Sequence, residues 1–140
     1  PVIARGEVTV PQLQEIHNKM ETMLGLEGAY VDAIYYCPHH PHKGYEGEIP
    51  ELKIDCDCRK PKPGMLLKAA QDFNIDLGQS YMVGDGENDV KAGIAAECKT
   101  VLLSGSPTTY STERCSQTIV LDSVSTFVSQ YLYKSHGQNG

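Results

Sequence analysis

The residues whose type and spacing point most directly to chemistry are Cys37, His39, Cys56 and Cys58: Cys37-Pro38-His39 is answered further along by Cys56-Asp57-Cys58. Three thiolates and one imidazole have the number and softness of a closed tetrahedral Zn2+ site. Each half has one residue between its ligands, a tighter spacing than common zinc motifs use, and His40 and His42 stand near enough to compete as ligands. The plainer reading is a few unpaired cysteines in a loop. Four ligand types bracketing one irregular segment favour zinc, and its role would be structural, because four protein ligands leave no open position for water.

Two further stretches could act on an anion. Arg59-Lys60-Pro61-Lys62-Pro63-Gly64 follows the last of these cysteines and puts three cations at the entrance to a helix. Lys offers a compact charge to a phosphoryl oxygen and Arg a planar fork, although a solvated basic run would look the same. Gly84-Asp85-Gly86-Glu87-Asn88-Asp89 lies just beyond a short apolar strand. Ligands of open α/β sheets sit past the carboxyl ends of strands, so Asp85 is placed to meet a hard cation such as Mg2+. Asp89, in the first turn of the next helix, would arrange the surroundings of Asp85; a simple turn with a helix cap is the alternative. No Ser-His-Asp spacing, P-loop or dinucleotide fingerprint is present.

These residues need elements to hold them. Thr9 and Gln12 form a capping-box pattern, and Leu13, Ile16, Met20, Met23 and Leu24 recur at helical spacing, so a helix is expected with its methionines in the core. His17 falls on the polar side of that helix. Val31 to Tyr36 reads as a buried strand. Cys37 to Lys60 is a long irregular segment. A helix with Met65, Leu66, Ala69, Ala70 and Phe73 on one face follows, then strands at Ser80–Val83, Thr100–Leu103 and Thr118–Leu121, with a helix through Val90 and Ile94 after the first. Val124, Phe127, Val128, Tyr131 and Leu132 outline a last amphipathic helix. Alternating strands and helices predict an α/β fold with a parallel, Rossmann-like sheet. The expected organisation is one domain over residues 1–140, with a zinc-binding loop at 37–58 and a frayed tail at 134–140.

Composition narrows the partners. With 12 Lys+Arg against 18 Asp+Glu in 140 residues, the net charge of −6 argues against a nucleic-acid or polybasic membrane surface. No apolar run is long enough for a membrane span and no leader pattern opens the chain, so a soluble, cytoplasmic protein is expected. Cys98 and Cys115 read as structural or incidental. The sequence carries no signal for oligomeric state.

Taken together, IARG, DAIYYCPHHP, CDCRKPKPGML and MVGDGENDVKAG resemble the haloacid-dehalogenase (HAD) superfamily. More narrowly they resemble the branch of D-glycero-D-manno-heptose 1,7-bisphosphate 7-phosphatases and histidinol-phosphate phosphatases, over roughly residues 1–105. The resemblance implies a Mg2+-dependent hydrolase acting on a phosphorylated small molecule, the 7-phosphate of a heptose bisphosphate in the making of a lipopolysaccharide precursor, through an aspartyl-phosphate. It implies zinc on Cys37, His39, Cys56 and Cys58, phosphoryl stabilisation by Lys60, substrate recognition by Arg59 and Mg2+ binding by Asp85. Gly86 stands where Lys is frequent in that family, and the loop between His39 and Cys56 is longer than in many relatives.

The family's DxD motif, which carries the nucleophile and the general acid/base, has no counterpart in these residues. The one D-x-D stretch, Asp55-Cys56-Asp57, lies inside the cysteine loop. The chain also opens on Pro1 rather than Met. The expectation is therefore an N-terminally truncated HAD-like domain, inactive alone, whose native form carries an N-terminal extension with the missing strands. A histidinol-phosphate phosphatase and a non-catalytic zinc-binding fragment are the competing readings.

Overall fold

The computed structural model describes residues 2–104 and 118–133; Cys115 and the tail at 134–140 lie outside the described residues. The chain divides into two compact units, Pro1–Arg59 and Lys60–Gly140.

In the first unit, helix α1 (Val10–Leu26) starts where the capping box predicts: Thr9 Oγ1 accepts from the Gln12 amide at 3.3 Å, and Gln12 Oε1 accepts from the Thr9 amide at 2.9 Å. The helix buries none of its residues, and Ile16, Met20 and Met23 are exposed, contrary to the expected core role of the methionines. Helical periodicity determines which face is apolar, not whether another layer covers it. His17 is half-buried, its ring centre 5.7 Å from that of Tyr36. Residues 31–36 are not a buried strand: they pair with no ladder among the described residues, and Val31 and Tyr36 are exposed. β-branched and aromatic composition records fitness for a pleated, half-buried surface, and without a partner strand it builds none. The rest of the unit is a turn at 2–6 and an irregular segment interrupted by the 3-10 turn Pro50–Leu52, with Ile3 and Ala4 buried.

The second unit is the expected α/β arrangement. Helix α2 (Gly64–Phe73) begins after Pro63 and ends at Asn74, which takes the left-handed conformation that Asn tolerates at a helix end. Strands β1 (Tyr81–Gly84), β2 (Lys99–Leu103) and β3 (Ile119–Leu121) form a parallel sheet in the order β1-β2-β3, with Met82 opposite Thr100 and Leu102 opposite Val120. Helix α3 (Glu87–Ala95) connects β1 to β2 and packs on both. The middle strand β2 is therefore the most deeply covered, which is why it reads as an apolar run. Val101 and Leu102 are buried with Val90, Ala92 and Ala96, and Thr100 satisfies its buried hydroxyl on Thr118 at 2.8 Å. Helix α4 (Val124–Phe127) is capped by Ser123 and runs into a π-helical turn, Val128–Leu132. Phe127 is buried against the Tyr81 ring. No described helix is long and apolar enough to cross a membrane.

Candidate functional site

Within the first unit, Cys37, His39, Cys56 and Cys58 converge, their ligand atoms all within 4.8 Å of one another. Cys58 Sγ lies 3.1 Å from Cys37 Sγ and 3.3 Å from Cys56 Sγ, and Cys37 and Cys56 are 3.4 Å apart. His39 Nδ1 completes the group, 3.4 Å from Cys58 Sγ and 3.8 Å from Cys37 Sγ. All four cysteines of the described residues are free thiols. A tetrahedron of Zn–S bonds of ~2.3 Å has edges of about 3.8 Å, so this cluster needs to open only slightly to hold zinc.

The electrostatics of the cluster follow from its crowding. Burial, and then the bonds to Cys37 and Cys56, push the Cys58 thiol up to about 12. Burial also opposes ionisation of Cys56, but hydrogen bonds from Cys58 and Cys37 outweigh it and bring that thiol below its ordinary value. Three sulfurs this close cannot all ionise without a positive charge between them, which a soft divalent metal would supply. His40 is buried, and its Nδ1 accepts from the His42 amide at 3.3 Å. Neither it nor His42 belongs to the metal-ligand group. Arg59 donates to the His39 carbonyl at 3.3 Å, which occupies one of the guanidinium's five donors.

In the second unit, the carboxyl end of β1 carries the other expected residues. Asp85 is exposed immediately after Gly84, the last residue of the strand. Asp89, one turn into α3, is buried, and its carboxylate binds two groups: Oδ1 is hydrogen-bonded and ion-paired with Lys60 Nζ, and Oδ2 accepts from the Gly86 amide at 3.0 Å. Gly84 makes room for this: a Cβ there would stand 2.3 Å from Asp89 Cβ. Asp89 thus does more than arrange the surroundings of Asp85. It ties the turn holding Asp85 to the Lys60 ammonium, whose side chain is 42% exposed and so open to a ligand. The spacing of Asp85 and Asp89 hinted at the turn contact; nothing in the sequence near Asp89 pointed to Lys60, because the partner lies before a helix and a strand. Asp85 offers one hard oxygen, in keeping with Mg2+, which takes one or two carboxylates and keeps several waters.

A parallel α/β sheet with a carboxylate just past the end of β1, where open sheets of this kind bind ligands, is the class of fold this unit adopts. A family model for HAD-hydrolase-like proteins matches residues 57–127, and the chain belongs to this family. It is 44% identical over 109 residues to D-glycero-beta-D-manno-heptose-1,7-bisphosphate 7-phosphatase of Yersinia pestis, covering 76% of this chain and 56% of that protein. It is 45% identical over 124 residues to the protein of the same name from Haemophilus influenzae, covering 87% and 64%. It therefore spans less than two thirds of the length of these relatives. Among solved structures, the D,D-heptose 1.7-bisphosphate phosphatase of B. bronchiseptica, complexed with magnesium and phosphate, is similar with a TM-score of 0.74 and 30% identity. That match covers 95% of this chain and 70% of the other.

Proposed function

We propose that these residues are the charge-balancing part of a Mg2+-dependent phosphatase that removes the 7-phosphate of D-glycero-D-manno-heptose 1,7-bisphosphate. The observation that carries this reading is the Lys60–Asp89 pair beside Asp85 at the carboxyl end of β1, in a chain similar to enzymes of that name. Asp89, itself held by the Gly86 amide, orients Lys60, whose ammonium would lie against the equatorial oxygens of the transferring phosphoryl group. Asp85 would hold Mg2+, which supplies further positive charge to those oxygens when bound. Arg59 takes a substrate-recognition role alongside. Cys37, His39, Cys56 and Cys58 hold a structural Zn2+ that staples the long loop at 37–58 and takes no part in bond breaking.

The attacking carboxylate and the general acid/base lie outside these residues, since the one D-x-D stretch is Asp55-Cys56-Asp57 among the zinc ligands. In the complete enzyme an Asp attacks phosphorus, the ester oxygen leaves with a proton from the acid, and water then hydrolyses the aspartyl-phosphate. The setting is the cytoplasm and the product a lipopolysaccharide precursor.

The test compares the 140-residue chain with a form extended at its N terminus by a DxD-bearing segment, measuring inorganic phosphate released from heptose bisphosphate and from histidinol phosphate. Mg2+-dependent release from the heptose substrate by the extended form alone is expected, and Asp85→Asn in that form should abolish it with zinc retained. Preference for histidinol phosphate would reassign the substrate, and turnover by the short chain would refute the placement of the nucleophile. A chain that binds zinc but stays silent in both forms would be a non-catalytic module.

A further inference from the structure

Between the two halves of the Cys/His cluster, the contacts of the first unit converge on a buried lysine. The Lys53 side chain has no exposed surface, and its Nζ lies 3.3 Å from Glu48 Oε2 and 4.7 Å from the centre of the Tyr45 ring. The same Glu48 oxygen accepts from the Gly44 amide at 2.9 Å and the Tyr45 amide at 3.0 Å. Arg5 also stacks on the Tyr45 ring, at 4.3 Å, and donates to the Tyr45 hydroxyl at 3.3 Å. Two cations thus share one aromatic ring, with one carboxylate and two amides closing the set.

The backbone around it is laced to match. The Ile49 amide donates to the Ala4 carbonyl at 3.0 Å, and the His40 amide to the Leu52 carbonyl at 3.0 Å. Gly6, at φ +73°, approaches the Gly47 carbonyl so closely that a Cβ would stand 2.0 Å from its oxygen. None of the three side chains at the centre of this set is a metal ligand. A buried ammonium is costly unless paired, so a surface loop retains one only where its surroundings are well determined. Its position is informative: the His40–Leu52 bond joins the neighbour of His39 to the neighbour of Lys53, and Lys53 stands three residues before Cys56.

We propose that Glu48, Lys53 and Tyr45, with Arg5, form a clasp that positions the metal centre, presetting the Cys37/His39 half against the Cys56/Cys58 half. This rests on the zinc reading above. Without the clasp, zinc binding would have to close the long intervening loop itself; with it, that entropy is already spent when the metal arrives. Outer groups that orient ligands typically change metal affinity by about 10- to 100-fold.

The test measures the zinc dissociation constant of the whole chain by competition with a chromophoric chelator, with the Co2+–thiolate absorption as a check on ligand geometry. Tyr45→Leu and Lys53→Met should each weaken zinc about tenfold or more, while Tyr45→Phe, which keeps the ring, stays near the native value. Tyr45 is 39% exposed, so Tyr45→Leu serves if Lys53→Met does not fold. Coupling is reciprocal, so a third readout needs no variant: stripping zinc from the native chain should speed amide exchange at Gly44, Tyr45 and Ile49 and leave β2 unchanged. Zinc affinity of the folded variants within about twofold of native, or Gly44 and Tyr45 amides indifferent to zinc, would overturn the clasp and leave the zinc reading standing. A native chain that takes up no zinc would overturn both.

Discussion

Asp89 carries more of the candidate active site than its neighbours do. Its carboxylate serves Lys60 and the Gly86 amide together, so Asp89→Ala leaves a half-buried amide without its partner and an ammonium without its counter-charge. A loss of about 1–3 kcal/mol in urea unfolding is expected, discounted toward the lower end because Lys60 is partly solvated. Asp89→Asn, which keeps an oxygen for the Gly86 amide, should cost less stability yet still lower phosphate release by the extended enzyme. Gly84→Ala drives a methyl into the Asp89 side chain and should destabilise by about 1–3 kcal/mol, read as a lower melting temperature. Glu48 gives a pH prediction with a definite sign. The Tyr45 amide, ahead of Lys53 and Gly44 and against the opposing effect of burial, holds its carboxyl below the ordinary value. A depressed folded value means its stabilisation is complete above the unfolded carboxylate pKa and is lost as pH falls through the folded one. Amide exchange at Gly44 and Tyr45 should therefore accelerate, beyond the intrinsic trend, on acidification below that range. An unchanged protection factor would remove Glu48 from the loop's stability.

At the scale of elements, local signals were legible where local physics decides. The capping box at Thr9 and Gln12, the α2 helix after Pro63, and the strand–turn–helix through Gly84 to Asp89 all lie where residue type and spacing put them. Thr9→Ala should destabilise α1 by about 0.5–2 kcal/mol, seen as faster exchange of the first-turn amides. Two other readings went astray for one reason. The apolar stripe of α1 and the β-rich segment 31–36 both look like core, but neither periodicity nor composition specifies a partner. Apart from the His17–Tyr36 ring contact, no layer among the described residues covers them, and Met23 and Val31 stay exposed. Strand β1 has one neighbour in the sheet, β2, and so ends the sheet with an unpaired edge among the described strands.

For the whole molecule, the division at Arg59 separates a unit built around the cysteine cluster from one built around the sheet. The first buries few large apolar side chains, so the order that the clasp around Lys53 does not supply should come from a bound metal, as in other small metal-stapled units. Chelation is accordingly expected to raise amide exchange broadly over residues 37–58 while the β2 and α3 amides keep their protection; equal loss in both units would show that the metal supports the whole chain.

From the sequence alone came the family, the candidate ligand set Cys37, His39, Cys56 and Cys58, the cations Arg59 and Lys60, and Asp85 at a strand end. These were legible because ligand chemistry, caps and turns depend on residue type and short spacing. Tertiary structure alone decided that Asp89 holds Lys60, that Arg59 braces the His39 carbonyl, and that Lys53 is buried under Tyr45. Each of those contacts joins residues distant in the chain or depends on burial, and what lies beside a charged group in space has no local trace in the chain.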